Sequence, residues 1–268
     1  IHISDFYYWN QSATGAGIED VLIGGLKYSY ALSRKDNLYQ ENYVTRHDFN
    51  VAGFNTNPGG ELELGLSYLD KPERTDAHSG WAITAQHVQS EFLGGKNKFA
   101  VQYGEGSGTG LGYTGDFRLD NSSKRYRIVE FFDWQVTPRF GGQVEAVYQK
   151  DFRPDGGNQE WLSLGVRPTY AISEQFKLVT ELGHDQVKAA DGTRKLSKFT
   201  FAPTWSPKGP GFWTRPEVRL YYTYASWNAA AQRAANEFDA GSALSDSGAF
   251  GSARHGSNAG LQVEYWWK

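Results

Sequence analysis

The sequence predicts an all-β fold, an antiparallel transmembrane β-barrel, on three observations. Apolar residues alternate with polar ones in many short segments. The polar positions carry bulky charges, while the apolar faces end in Tyr and Trp. The connections alternate between tight turns and long loops. A soluble sandwich gives the first of these but not the combination, which belongs to a barrel with a wet interior and an aromatic girdle.

About a dozen such segments lie near 19–33, 42–55, 60–70, 79–92, 98–104, 124–134, 140–150, 160–172, 176–187, 196–206, 214–228 and 257–267. In the third, Leu62, Leu64, Leu66 and Tyr68 oppose Glu61, Glu63, Gly65 and Ser67. In 160–172, Leu162, Leu164, Val166 and Tyr170 oppose Ser163, Gly165, Arg167 and Thr169. In 214–228, Val218, Leu220, Tyr222 and Tyr224 oppose Arg215, Glu217, Arg219 and Thr223. The last sets Leu261, Val263, Tyr265 and Trp267 against Gln262, Glu264 and Trp266. Leucines and Val263 are therefore expected to face lipid, with Glu61, Glu63 and Glu264 in the lumen.

Tight turns fall at Asn57-Pro58-Gly59-Gly60, Gly94-Gly95-Lys96-Asn97 and Thr137-Pro138-Arg139. The long connections run over 103–124 and 228–258, with a short helix expected over 229–238. Residues 1–268 read as one barrel domain.

Composition agrees. The chain has 31 Gly, suited to turns and close strand packing, and 16 Tyr and 9 Trp, suited to interfacial belts. A net charge of −3 gives no reason to expect nucleic acid. Without cysteine there is neither a disulfide nor a thiolate metal site. Mean hydropathy is −0.59, and no stretch reaches the roughly 20 apolar residues of a membrane-spanning helix. Neither fact argues against a barrel, because only alternate strand residues meet lipid.

Seven stretches together resemble the maltoporin family of sugar-specific porins. They are SDFYYWNQSATGAGIEDV (4–21), NPGGELELGLSY (57–68), SGWAITAQHVQS (79–90), NKFAVQY (97–103), LGVRPTY (164–170), FWTRPEVRLYYTYASW (212–227) and GLQVEYWW (260–267). They keep the family's order and span nearly the whole chain. The resemblance implies a barrel of about eighteen strands, assembled as a homotrimer in the outer membrane of a Gram-negative bacterium, with an inward-folded third loop narrowing each pore. Ile1 corresponds to a point well inside a maltoporin, so the N-terminal part of the barrel is expected to be missing from this sequence.

Sugar translocation requires aromatic faces for pyranose C–H surfaces, and polar partners for the hydroxyls. Binding must stay weak enough for release. In the family such a path is an aromatic slide, and two of its tryptophans resemble Trp213 and Trp266. Parity agrees, since Trp213 counts with Arg215, Glu217 and Arg219, and Trp266 with Gln262 and Glu264. The alternative for each is an interfacial belt tryptophan, which is how Trp267 reads. Where the family places a third slide aromatic, this chain has Gly95 or Lys96, with Phe92 displaced from it.

By the same resemblance Asp5 and Tyr7 match the constriction loop, the carboxylate accepting sugar hydroxyls and the tyrosine narrowing the pore. His2 and Asn10 are adjacent pore-lining candidates. Arg125, Arg127, Arg167, Arg215 and Arg219 share lumen parity with Glu145 and Glu217, as a transverse field or simply as a solvated wall.

The function read from these residues is passive diffusion of maltose and maltodextrin-type oligosaccharides. The competing readings are a porin for sucrose or β-glucosides, and a structural or adhesin barrel. An enzyme is not expected. No G-x-S-x-G or H-E-x-x-H occurs, and the His184-Asp185 and Arg254-His255 pairs lack a nucleophile setting. No metal or cofactor is expected. The partners expected are an oligosaccharide, outer-membrane lipid, sibling subunits and, through exposed loops such as 228–258, phage.

Overall fold

A computed structural model describes residues 14–37 and 40–266. Its strands are β1 (Thr14–Ile23), β2 (Leu26–Asn37), β3 (Gln40–Asn57), β4 (Gly60–Asp70), β5 (Gly80–Phe92), β6 (Gly95–Glu105), β7 (Lys124–Thr137), β8 (Phe140–Phe152), β9 (Gln159–Ala171), β10 (Phe176–Ala189), β11 (Gly192–Trp205), β12 (Glu217–Trp227) and β13 (His255–Glu264). They form one antiparallel sheet in strict sequence order. Each strand pairs with the next because the intervening turn is its shortest route back, which is the topology alternating short connections demand.

The segment 19–33, expected as one strand, is two. Gly24 and Gly25 turn the chain between β1 and β2 with φ of 59° and 86°, and Ile23 pairs with Leu26. Two successive positive φ values are what a two-residue hairpin needs, and glycine reaches them without a Cβ clash. The other segments match strands to within a few residues. The helix α1 (Ala229–Phe238) lies where expected, started by Asn228, whose side chain accepts from the Ala231 N–H.

The sheet's two faces are of opposite character. One exposes Leu64, Leu66, Tyr68, Leu220, Tyr222, Leu261 and Val263, the last at 65%. Leu62 shares their face but is only half-buried. At one end of the β10–β11 pair, Phe176 sits opposite Trp205, both exposed as belt aromatics would be. The other face buries Arg46, Asp48, Gln86, Gln102, Arg127, Glu145, Asp151, Lys177 and Glu217. A water-soluble protein shows the reverse. This polarity suits strands with hydrocarbon on one side and a polar interior on the other.

Chain contacts divide into two compact units. Of the described residues, the first comprises 14–37, 40–90, 97–130 and 148–159; the second comprises 91–96, 131–147 and 160–266.

In the first unit the connection after β6 does not simply leave the sheet. It forms a buried 3-10 turn, Gly106–Gly110, against the polar face. A Cβ on Gly108 would lie 1.9 Å from the Trp81 carbonyl oxygen, and one on Gly80 would lie 2.5 Å from the Gly108 nitrogen. Only glycine allows that approach. Two arginines receive the turn's carbonyls. Arg46 Nη2 donates to Leu111 O at 3.3 Å, and Arg125 Nη1 to Thr109 O at 2.9 Å. Arg46 is held by Asp48 at 2.8 Å, and Arg125 by Asp151 through two bonds of 2.6 and 2.7 Å. Each arginine thus answers a carbonyl of the turn and a carboxylate of the sheet at once.

Candidate functional site

The site lies in the second unit, where the connection from β11 to β12 brings aromatic residues to the end of β13. Trp213 stands in that connection, not in a strand, because β12 begins only at Glu217, just after Pro216, which has no N–H to give a ladder. Strand parity therefore does not reach Trp213. Trp266 likewise lies past the end of β13, so its parity count stops at Glu264. The two rings nevertheless meet, with centroids 6.0 Å apart and planes at 39°. They are exposed by 42% and 47%. Phe212 packs edge-on against Trp213 at 4.9 Å, and its backbone N–H donates to Gln135 Oε1 at 3.1 Å, which anchors the connection.

Arg215 holds Trp266 in place. Its guanidinium carbon lies 4.6 Å from the Trp266 ring centroid, within cation–π range. The same guanidinium donates to the carbonyls of Phe212 and Thr214, each at 2.9 Å, and pairs with Glu264 at 3.0 Å. Arg219 bridges Glu264 at 2.8 Å and Glu217. Glu217 in turn pairs with Lys177 at 2.8 Å, both side chains 1% exposed, and Lys177 Nζ donates to Gly211 O at 2.9 Å. Three cations and two carboxylates thus form one cluster, buried at Lys177 and Glu217 and half-buried elsewhere, in which every charge has an opposite partner. Three of its members, Lys177 through Gly211 and Arg215 through Phe212 and Thr214, with Glu217 between them, tie the tryptophan-bearing connection to the sheet.

Chemically, the site offers broad aromatic faces beside a dense set of fixed donors and acceptors. Among the described residues His184 contacts Ser197 Oγ at 2.8 Å in the middle of β10, and His255 stacks on Tyr224, so neither stands in a nucleophile–base arrangement. Such a surface can bind and release a polyhydroxylated ring without reacting with it.

Of the residues singled out in the sequence, the structure brings together Trp213, Trp266, Arg215, Glu217 and Arg219. His2, Asp5, Tyr7, Asn10 and Trp267 lie outside the described residues. Arg125 and Arg127 belong to the first unit, where Arg127 donates to Gln149 at 2.9 Å. The Gly95 position has no room for an aromatic, since a Cβ there would sit 2.1 Å from the Asp133 carbonyl oxygen. Phe92 packs edge-on against Phe132 instead. Lys177 and Glu264 are the members of the cluster that sequence reasoning missed as site residues. Lumen parity was the available signal for both.

An antiparallel sheet with an exposed apolar face, a buried charged face and aromatics at its ends defines a transmembrane β-barrel of the porin class. A family model, LamB porin, matches residues 1–267, and the chain belongs to the LamB porin (maltoporin) family. It is a sugar-specific porin of the outer membrane and a channel protein, not an enzyme.

Proposed function

We propose that this porin passes maltodextrin-type oligosaccharides by passive diffusion along an aromatic slide, of which Trp213 and Trp266 form the outlet half. The observation that carries the reading is the contact between the two indole rings, half-exposed and braced by Arg215. A pyranose chain slides from ring to ring through its C–H faces while its hydroxyls exchange partners with neighbouring carboxylates and guanidiniums. Asp5 and Tyr7 belong to the constriction in this reading, and His2 and Asn10 lie beside them. Three chains assemble as a homotrimer, for which a mass in mild detergent of three chains is expected and a mass of one chain is contrary.

One feature favours a second sugar class. Where the resemblance places a third slide aromatic this chain has Gly95 or Lys96, and a lower slide without that ring selects less strongly for a long glucan and leaves sucrose or a β-glucoside as the competing substrate. The test is ion current through single channels titrated with maltotriose, sucrose and cellobiose. Block at the lowest concentration by maltotriose supports the reading. Tighter block by sucrose or cellobiose reassigns the substrate, and no block by any of them returns the chain to a barrel without sugar selectivity.

A further inference from the structure

We propose that a depression on the polar face between β9 and β13 is a second sugar subsite, taking one uncharged pyranose ring beside the tryptophan pair; this rests on the reading of the chain as a sugar channel.

The sheet register builds the depression. One cross-strand row carries Glu181, Thr200 and Thr223, with Arg167 bonded to Glu181 at its end. A parallel row carries Lys177, Thr204, Arg219 and Gln262. In the row between them Val179 stands opposite Ala202, and Tyr221 opposite Gly260. Polar side chains on both flanks, with Val179 and Ala202 between them and Tyr221 over Gly260, leave a pocket of about 200 Å³. Tyr221 lies across its partner strand, where a Cβ on Gly260 would come within 2.9 Å of the ring. The absent side chain is what lets the phenol swing aside.

The lining decides the ligand class. Val179 and Ala202 give an apolar floor that matches the C–H face of a sugar ring. The rim offers Thr200, Thr223, Tyr221 and Gln262, groups that both donate and accept. Its charges are already matched: Arg167 pairs with Glu181 at 2.6 Å, and Arg219 with Glu264 at 2.8 Å. An anionic ligand would face Glu181, and a cationic one Arg167 and Arg219, so an uncharged polyol is preferred. Arg219 also belongs to the cluster that braces Trp266, so the pocket and the slide are linked through the same charges. The pocket holds one ring and not a chain, and it acts as a side station that lengthens residence of a sugar at the outlet.

The test is current block by maltotriose and by glucose through wild type, Thr223→Val, Gln262→Leu and Trp213→Ala. Thr223→Val keeps shape and removes one of two hydroxyls that bond at 2.8 Å. Each pocket variant should raise the half-blocking concentration about 2- to 12-fold, the scale of one neutral hydrogen bond. Sugar-free conductance should be unchanged. If Trp213→Ala weakens block while both pocket variants match wild type, the subsite is refuted and the slide stands. If the pocket variants weaken block and Trp213→Ala does not, the subsite stands and the slide falls. Absence of block in wild type overturns both. Should Thr223→Val alter sugar-free conductance, Gln262→Leu, at an exposed position of β13, decides the matter.

Discussion

Two regions of this porin use arginine–carboxylate pairs to fix a connection, one holding backbone and the other holding rings. In the first unit Arg46 and Arg125 grip carbonyls of a glycine turn, and what they fix is a wall. In the second unit Arg215 grips carbonyls of the β11–β12 connection while its guanidinium lies over Trp266, and what it fixes is a binding surface. The glycine turn is buried; the tryptophan pair is about half-exposed. Similar charge pairs thus serve different ends according to what the connection carries. Glycine brings the backbone close and rigidly so, whereas tryptophan offers area to a passing ligand.

Substitutions can separate the two. The largest effect is expected from Arg46→Met, which leaves Asp48 buried without its guanidinium. Breaking a buried pair from one side costs about 3–5 kcal/mol, read as a fall in the urea midpoint of the refolded protein. A shift below about 1 kcal/mol would show that water reaches Asp48. Next is Gly108→Val, whose side chain has no space beside the Trp81 carbonyl. The turn must move off the wall toward the lumen, and single-channel conductance should fall; an unchanged conductance would mean that the turn does not border the path.

Arg215→Met should be gentler. It removes a cation–π contact worth about 0.5–1 kcal/mol at an exposed ring, and with it the bonds to Phe212, Thr214 and Glu264, so maltotriose half-block should rise at least about 2- to 5-fold with Trp266 and its connection loosened. Equal block would show that Trp266 is positioned without it.

The smallest effect is at Asp76, in the exposed connection between β4 and β5. The hydrogen bond from Arg74 is the main reason its carboxyl titrates below the usual range. A depressed carboxylate adds stability that is present above its unfolded pKa, about 3.9, and is lost as pH falls through the lower folded value. Both side chains are solvent-screened, so Asp76→Asn should lower the thermal midpoint barely at pH 7 and not at all near pH 2. A gap that widens on acidification would reverse the sign of this assignment.

Much of the fold was legible because a sheet with unlike faces writes its period into every strand. The β1–β2 hairpin was missed although Gly24-Gly25 marks it, since apolar alternation runs on through Val21 and Ile23 and hides the break. The buried turn at 106–110 was read only as a long loop. Its glycines at 104, 106, 108 and 110 were the signal, but which strand they approach depends on Trp81, which the register alone supplies. The tryptophan pair was legible through family likeness, yet the parity argument for it fails, because Trp213 precedes β12 and Trp266 follows β13. Lys177 shares its face with many polar residues, and only the fold brings it onto Glu217. The pocket floor is equally silent in sequence: Val179 and Ala202 are unremarkable until they stand opposite each other.

The most direct test of the central claim is maltotriose titration of ion current through wild type, Trp213→Ala and Trp266→Ala. Aromatic contacts are worth about 0.5–1.5 kcal/mol, so each truncation should raise the half-blocking concentration about 2- to 12-fold, with sugar-free conductance similar or higher. Identical half-blocking concentrations in all three would contradict it, and would make the two tryptophans interfacial belt residues with the sugar path elsewhere.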